Sequence, residues 1–161
     1  MIETIMTRPK SIVITGGASG IGLAITNHFA STSTSSTTHI TILDINPATG
    51  AQTLTNLRSQ HPSASLSFES CDTSSWESQA AVFDKLYKER GGVDVVFANA
   101  GITESGGFIQ SALASGEHTG KGGPVKPDTR TVDVNFLGVV YCEFTHIQFS
   151  PCVGSSKEYA N

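Results

Sequence analysis

Residues 15–22 of this 161-residue chain read TGGASGIG. They follow a short β-branched run, SIVIT (11–15), and precede an apolar-periodic stretch, which is the setting of a strand-to-helix turn. Gly16 lets the chain turn sharply off a strand, and Gly20 and Gly22 let backbone approach a ligand and let the helix pack close to a sheet. A helix N-terminus beyond them offers free N–H groups and the positive end of a dipole, which suits a pyrophosphate. Ser19 adds a hydroxyl donor, and Ile21 lies in the same segment, so both join the candidate cofactor-binding residues. A P-loop is excluded because no Lys follows the last glycine. Many strand-to-helix turns contain glycine, so the motif alone leaves a plain structural turn open.

Asp44 ends the next apolar run, HITILD (39–44), 22 residues after Gly22. A carboxylate there can accept hydrogen bonds from an adenosine ribose and repels a 2′-phosphate. The next basic residue is Arg58, so NAD is expected over NADP. A solvated Asp that caps the following turn is the competing reading.

These groups need a scaffold, and the chain alternates between strand and helix patterns. Ile21, Ala24, Ile25 and Phe29 have the spacing of one helix face. Asn46 and Pro47 read as the N-cap and first residue of a second helix, with Ala51, Leu54 and Leu57 on one side. ASLSFES (64–70) alternates as a half-buried strand. SSWESQAAVFDKLYKERGG is a third helix carrying Trp76, Ala80, Phe83 and Tyr87, with Gly91 as its stop. VDVVFANAG is a fourth strand, apolar enough to be covered on both faces. Strands separated by helices predict right-handed βαβ units and a doubly wound parallel sheet. STSTSSTT (31–38) reads as a surface loop. Residues 101–128, with seven glycines and no sustained period, form a long loop. Helical spacing returns after Pro127 through Val132, Phe136, Val139 and Val140.

Bulk properties narrow the function classes. The net charge of −4 gives no basic footprint for a phosphate backbone, so neither nucleic acid nor an anionic membrane is an expected partner. Three cysteines without C-x-x-C spacing favour free thiols over a disulfide framework or zinc site. The five histidines show no ligand spacing, so no metal is expected. No signal-peptide pattern and no membrane-length apolar run occur, which makes the cytoplasm the expected location.

At this point the sequence resembles the short-chain dehydrogenases/reductases. T-G-x-x-x-G-x-G is matched by Thr15, Gly16, Gly20 and Gly22. The acidic residue after strand three resembles Asp72 in CDTSSWE, implied to contact the adenine ring. The N-A-G motif resembles Asn99, Ala100 and Gly101, implied to support the sheet and line the cofactor cleft. The helix asparagine resembles Asn135 in VDVNFLGVVY. Taken singly, Asp72 is an ordinary helix N-cap, Asn99 a turn former and Asn135 a surface helix residue; their joint order over residues 11–141 carries the resemblance. It implies a Rossmann-like fold and an NAD(P)-dependent oxidoreductase acting on a hydroxyl or carbonyl of a small molecule.

The resemblance also implies a catalytic tyrosine, a lysine four residues later that lowers its pKa, a serine that polarises the substrate oxygen, and a helix asparagine holding a relay water. Tyr-x-x-x-Lys does not occur: Gly91 follows Tyr87 at that spacing, Thr145 follows Tyr141, and Tyr159 has no residue there. Lys157 precedes Tyr159 by two, which on a helix sets the side chains about 200° apart. Of the four catalytic types, Asn135 alone is placed. The expectation is one incomplete dinucleotide-binding domain over 1–161, truncated after about four strands. Its tail, 142–161, would diverge from the family as an early stop, alternative splice or altered frame would produce. The alternative function is a catalytically incompetent nucleotide-binding remnant. With strand order 3-2-1-4, the fourth strand would lie at an edge, and the helix around Asn135 would offer an apolar face for a homo-oligomer.

Overall fold

The computed structural model describes residues 8–34, 37–104, 109 and 126–150. Expectations for most of the 101–128 loop, for Ser35 and Ser36, and for Cys152, Lys157 and Tyr159 lie outside the described residues.

Four strands, β1 (Lys10–Thr15), β2 (Thr38–Asp44), β3 (Ser65–Ser70) and β4 (Val95–Phe97), form one parallel sheet in the order β3-β2-β1-β4. Helices α1 (Gly20–Thr32), α2 (Pro47–Gln60) and α3 (Trp76–Arg90) connect them. A last helical segment begins as α4 (Arg130–Val132), passes through a π-helical stretch (Asp133–Leu137) and continues as α5 (Gly138–Phe149). Among the described residues no helix is long and apolar enough to cross a membrane.

The period-2 alternation of the strands builds two cores. Ile12, Ile14, Ile40, Ile42 and Leu66 face α1 and α2, packing with Ala30 and Leu57. Val13 and Leu43 face the other way, against Val82, Phe83 and Leu86 of α3 and Cys142 of α5. The sheet is therefore doubly wound.

Two helix faces differ in part from the expected ones: Ile25 and Phe29 pack on the first core and Phe83 in the second, but the rest of each face is shifted. On α1 the residues buried are Gly22, Thr26 and Ala30, whereas Ile21 is 75% exposed. Small residues let the helix approach the sheet closely. A Cβ on Gly22 would lie 2.1 Å from the Gly16 carbonyl oxygen, and the Thr26 hydroxyl donates to the Gly22 and Gly17 carbonyls at 2.8 and 3.2 Å. On α3 the inward face is Gln79, Val82, Phe83 and Leu86. Trp76 and Tyr87 instead lie along the α3–α5 seam, where Trp76 meets Tyr141 at 5.8 Å and Phe144 at 6.0 Å, and Tyr87 meets Phe149 at 5.6 Å.

The fourth strand is also shorter than its apolar run, three residues, and Val95 is 37% exposed instead of covered. Side chains bind it to β1 where the ladder stops. At one end the Asp94 carboxylate accepts from the Ser11 backbone N–H at 2.6 Å and from both Arg8 Nη atoms at 2.9 Å. At the other, Thr15 Oγ1 accepts from the Asn99 and Ala100 N–H groups, both at 2.9 Å.

Candidate functional site

The carboxyl ends of the parallel strands converge on one cleft of about 250 Å³, lined by Gly16, Ser19, Asp44, Ile45, Cys71, Asp72, Thr73, Ala100, Gly101, Ile102 and Val134. Ligands of open α/β sheets bind at this end, where the strand order reverses. Here that point lies between β1, which leads to the α1 and α2 side, and β4.

The glycine-rich turn supplies the first wall. Gly16 sits at φ +63°, a left-handed conformation that favours glycine, and a Cβ there would press to 3.0 Å from Cα of Ala100. Gly20 is also left-handed, at φ +51°, and open space surrounds the position of its missing Cβ, so backbone is exposed at the start of α1. Asn46 caps α2 and Ser75 caps α3 with side-chain hydrogen bonds. Ser19 makes no such bond at the start of α1, and no acidic residue occupies its first turn. The first-turn N–H groups of α1 are thus left for a ligand anion.

Asp44 supplies the second wall. Its two carboxylate oxygens accept from the backbone N–H groups of Ala18 (3.3 Å) and Asn46 (3.1 Å), which fixes the side chain at the rim while leaving lone pairs for a further donor. The lining residues include Asp44 and Asp72 but no Lys or Arg. Asp72 accepts from the N–H and hydroxyl of Ser74 at 2.9 and 2.7 Å, which tightens the turn after β3.

Asn99 closes the back of the cleft. Its side-chain N–H donates to the Thr15 carbonyl at 3.1 Å, joining the N-A-G turn to the end of β1. Asn135, in the π-helical stretch, pairs at both ends of its carboxamide with one backbone unit: Ile102 N–H donates to Oδ1 at 2.8 Å, and Nδ2 donates to the Ile102 carbonyl at 2.9 Å. In this structure the side chain pins the strand-four loop against the helix.

Of the candidate residues read from sequence, Gly16, Ser19, Asp44, Asp72, Ala100 and Gly101 line the cleft together. Gly20, Ile21, Gly22, Asn99 and Asn135 lie outside its lining; Gly22 and Asn99 act through packing and hydrogen bonds behind it. Ile45, Cys71, Thr73, Ile102 and Val134 were not singled out. The first four directly follow Asp44, Ser70, Asp72 and Gly101, so strand-end position was the available signal. Val134 carried none. Burial raises the Cys71 thiol pKa, countered in part by the Ser78 hydroxyl, so Cys71 contributes a neutral wall and no thiolate. Among the described residues no cluster of His, Cys, Asp or Glu could hold a metal.

A family model described as "short chain dehydrogenase" matches residues 10–149. The curated 5′-hydroxyaverantin dehydrogenase of Dothistroma septosporum is 31% identical over 143 residues, covering 87% of this chain and 45% of that protein. The NADP-dependent dehydrogenase M3 of a Phoma species is 32% identical over 153 residues, covering 94% of this chain and 42% of that protein. The chain spans a little under half the length of these two curated relatives. A solved short chain dehydrogenase/reductase from Burkholderia phymatum, in complex with NAD, superposes with a TM-score of 0.69 at 23% identity. That overlap covers 91% of this chain and 46% of that one, and is a likeness of fold.

Proposed function

The chain belongs to the short chain dehydrogenase family, and from that premise we propose that it forms the dinucleotide-binding part of an NAD(P)-dependent oxidoreductase acting on a hydroxyl or carbonyl of a small molecule. We take residues 1–161 as one dinucleotide-binding unit. The observation that carries this reading is the convergence of Gly16, Ser19, Asp44, Asp72 and Gly101 on one cleft beside the uncapped start of α1.

The cleft fits part of a dinucleotide. Its volume of about 250 Å³ lies below the roughly 300–1,000 Å³ of whole-ligand pockets, so it would take the adenosine side rather than the entire cofactor. Asp44 would accept from the ribose hydroxyls, the turn after Asp72 would border the adenine, and the α1 N–H groups with Ser19 would meet the pyrophosphate. When bound, the cofactor supplies a nicotinamide that accepts or gives a hydride. The residues of this chain bind and orient it.

Asp44 supports NAD over NADP, although one relative is named as NADP-dependent. A 2′-phosphate would meet a carboxylate with no cation among the lining residues. Like-charge repulsion of roughly 1.4 kcal/mol at a half-exposed site lowers affinity about tenfold. Titrating NAD and NADP against the fluorescence of Trp76, the single tryptophan, tests both points. Tighter binding of NAD is expected, and Asp44→Ser should narrow the gap. Tighter binding of NADP overturns the Asp44 reading; binding of neither overturns the function.

A second reading has its own observation: no tyrosine of this chain is followed four residues later by lysine. The chain alone would then bind the dinucleotide without hydride transfer. Reduced-nicotinamide absorbance should stay at background on panels of secondary alcohols and ketones. Turnover above that background removes this reading, and turnover that also survives both Tyr141→Phe and Tyr159→Phe excludes those tyrosines as the acid. The small-molecule partner follows from the function, and the free buried thiols Cys71 and Cys142 support a reducing, cytoplasmic setting.

A further inference from the structure

Behind the cleft wall lies a polar side chain that the dinucleotide reading does not use. Gln79 is fully buried on the inward face of α3, among Val82, Phe83 and Leu86. Its Nε2 donates to the Thr73 carbonyl at 2.7 Å and to the Gly138 carbonyl at 2.9 Å. Both partners are acceptors, so the atom between them must be the NH₂ group, and the orientation of the amide is fixed. Its Oε1 is buried and finds no donor among the described residues. An unpaired buried acceptor is a standing cost that an apolar side chain of the same length would not carry. Gln79 therefore holds its place through what its donors do.

Those donors join two pieces of the cleft wall that are distant in sequence. Thr73 lines the cleft in the turn after β3. Gly138, the first residue of α5, directly follows the π-helical stretch, its N–H reaching five residues back to Asp133, and Val134 of that stretch lines the cleft as well. The two pieces meet closely at this point, since a Cβ on Gly138 would come to 3.0 Å from the Thr73 carbonyl oxygen.

We propose that Gln79 is a positioning residue for cofactor binding: its amide clamps the Thr73 turn to Gly138, and so sets the spacing between the adenine-side turn and the helix that presents Val134 and Asn135. This rests on the dinucleotide reading for its effect on affinity. The clamp itself does not depend on it.

Gln79→Met separates the clamp from ordinary core packing. Methionine matches the length and suits the neighbours Val82 and Phe83; it removes the unpaired acceptor but takes the donor from the Thr73 and Gly138 carbonyls, so the two effects on stability largely offset. The melting temperature should stay within a few degrees of wild type, while the dissociation constant for NAD rises about tenfold or more. Amide exchange in the protein without cofactor should accelerate at Thr73–Ser75 and Asn135–Cys142 and remain unchanged in β1 and β2. Gln79→Asn, which keeps the amide one methylene short, should fall between the two. Unchanged NAD affinity in Gln79→Met overturns the proposal, as does a loss of stability with affinity per folded molecule retained. Should the wild type bind no dinucleotide, the functional reading fails by itself. The exchange comparison then decides the clamp, local acceleration supporting it and identical protection overturning it.

Discussion

His39 is a buried group whose environment opposes its charged form. It lies on β2 at 4% exposure, with Nδ1 at 2.6 Å from the Ser65 hydroxyl and Nε2 at 2.9 Å from that of Ser67. Parallel register sets Ser65 directly opposite His39, and Ser67 pairs with Thr41. A neutral imidazole serves both contacts, one nitrogen donating and the other accepting. Burial, then Arg90, then Arg58 oppose the imidazolium and lower the pKa from 6.5 to about 4. The unfolded chain therefore binds more protons than the folded one between those values. The contribution is present above pH 6.5 and is lost as pH falls toward 4. At about 1.36 kcal/mol per unit, the gap is worth at most about 3 kcal/mol. Urea melts from pH 7.5 down to pH 4.5 should show this loss, and His39→Gln should flatten the slope. A wild-type curve with no slope in that window would mean that the histidine is hydrated in the native state.

At the scale of the elements, much was legible from local chemistry. Asn46 and Pro47 announce α2, and the Asn46 side chain accepts from the Ala48 and Thr49 N–H groups, both at 3.1 Å. Gly91 ends α3 at φ +75°. The cleft was legible where strand ends carry unusual residues, as at Gly16, Asp44 and Asp72. Periodicity placed Ile25, Phe29 and Phe83 on the inward faces but misjudged Ile21 and Trp76, because tertiary approach distance, set by small or hydrogen-bonded residues, outranks apolar content. Gln79 shows the same limit: nothing in its type signals a buried bridge to a residue 59 positions away. Gly50 is a further case. On α2 a Cβ would come within 2.5 Å of three atoms of the Phe68 ring, on β3. Alanine there adds about 1 kcal/mol of helix propensity but costs about 1–3 kcal/mol in overpacking. Gly50→Ala should destabilise by up to about 2 kcal/mol in urea melts. In a Phe68→Val background the same change should become neutral or stabilising. Equal losses in both backgrounds would place the strain outside this contact.

For the whole molecule, the remaining matter is which unpartnered surface governs association. The exposed edge at β4 is three residues long, and the Asp94 and Thr15 bonds close its ends. Short edges are poor templates for pairing. The larger surface is the stripe Val132, Phe136, Val140, Phe144 and Ile147, which follows the α4–π–α5 segment at 46–63% exposure. A second copy of this chain is the expected partner, because the five apolar side chains can pack on their own copies about a twofold axis, with exposed Glu143 at the margin. Full burial of each side chain is worth about 1.5–3 kcal/mol, and roughly half of that remains to be gained. Ten side chains across two copies thus contribute about 10 kcal/mol, against an association cost of about 4–15 kcal/mol. With an association cost near the low end of that range, about 6 kcal/mol of net binding remains, which predicts a weak, concentration-dependent dimer. Sedimentation should detect it at about 10–100 µM, corresponding to roughly 5–7 kcal/mol of binding. Phe136→Glu with Phe144→Glu should return the protein to monomer, because two carboxylates on each copy would have to be desolvated at the contact. Phe136 lies outside both cores, while Phe144 also meets Trp76 at 6.0 Å, so a modest fall in melting temperature is expected from the second substitution. A wild-type protein that stays monomeric across that range would assign the stripe to another partner, and a dimer that survives both substitutions would shift the contact to a different face.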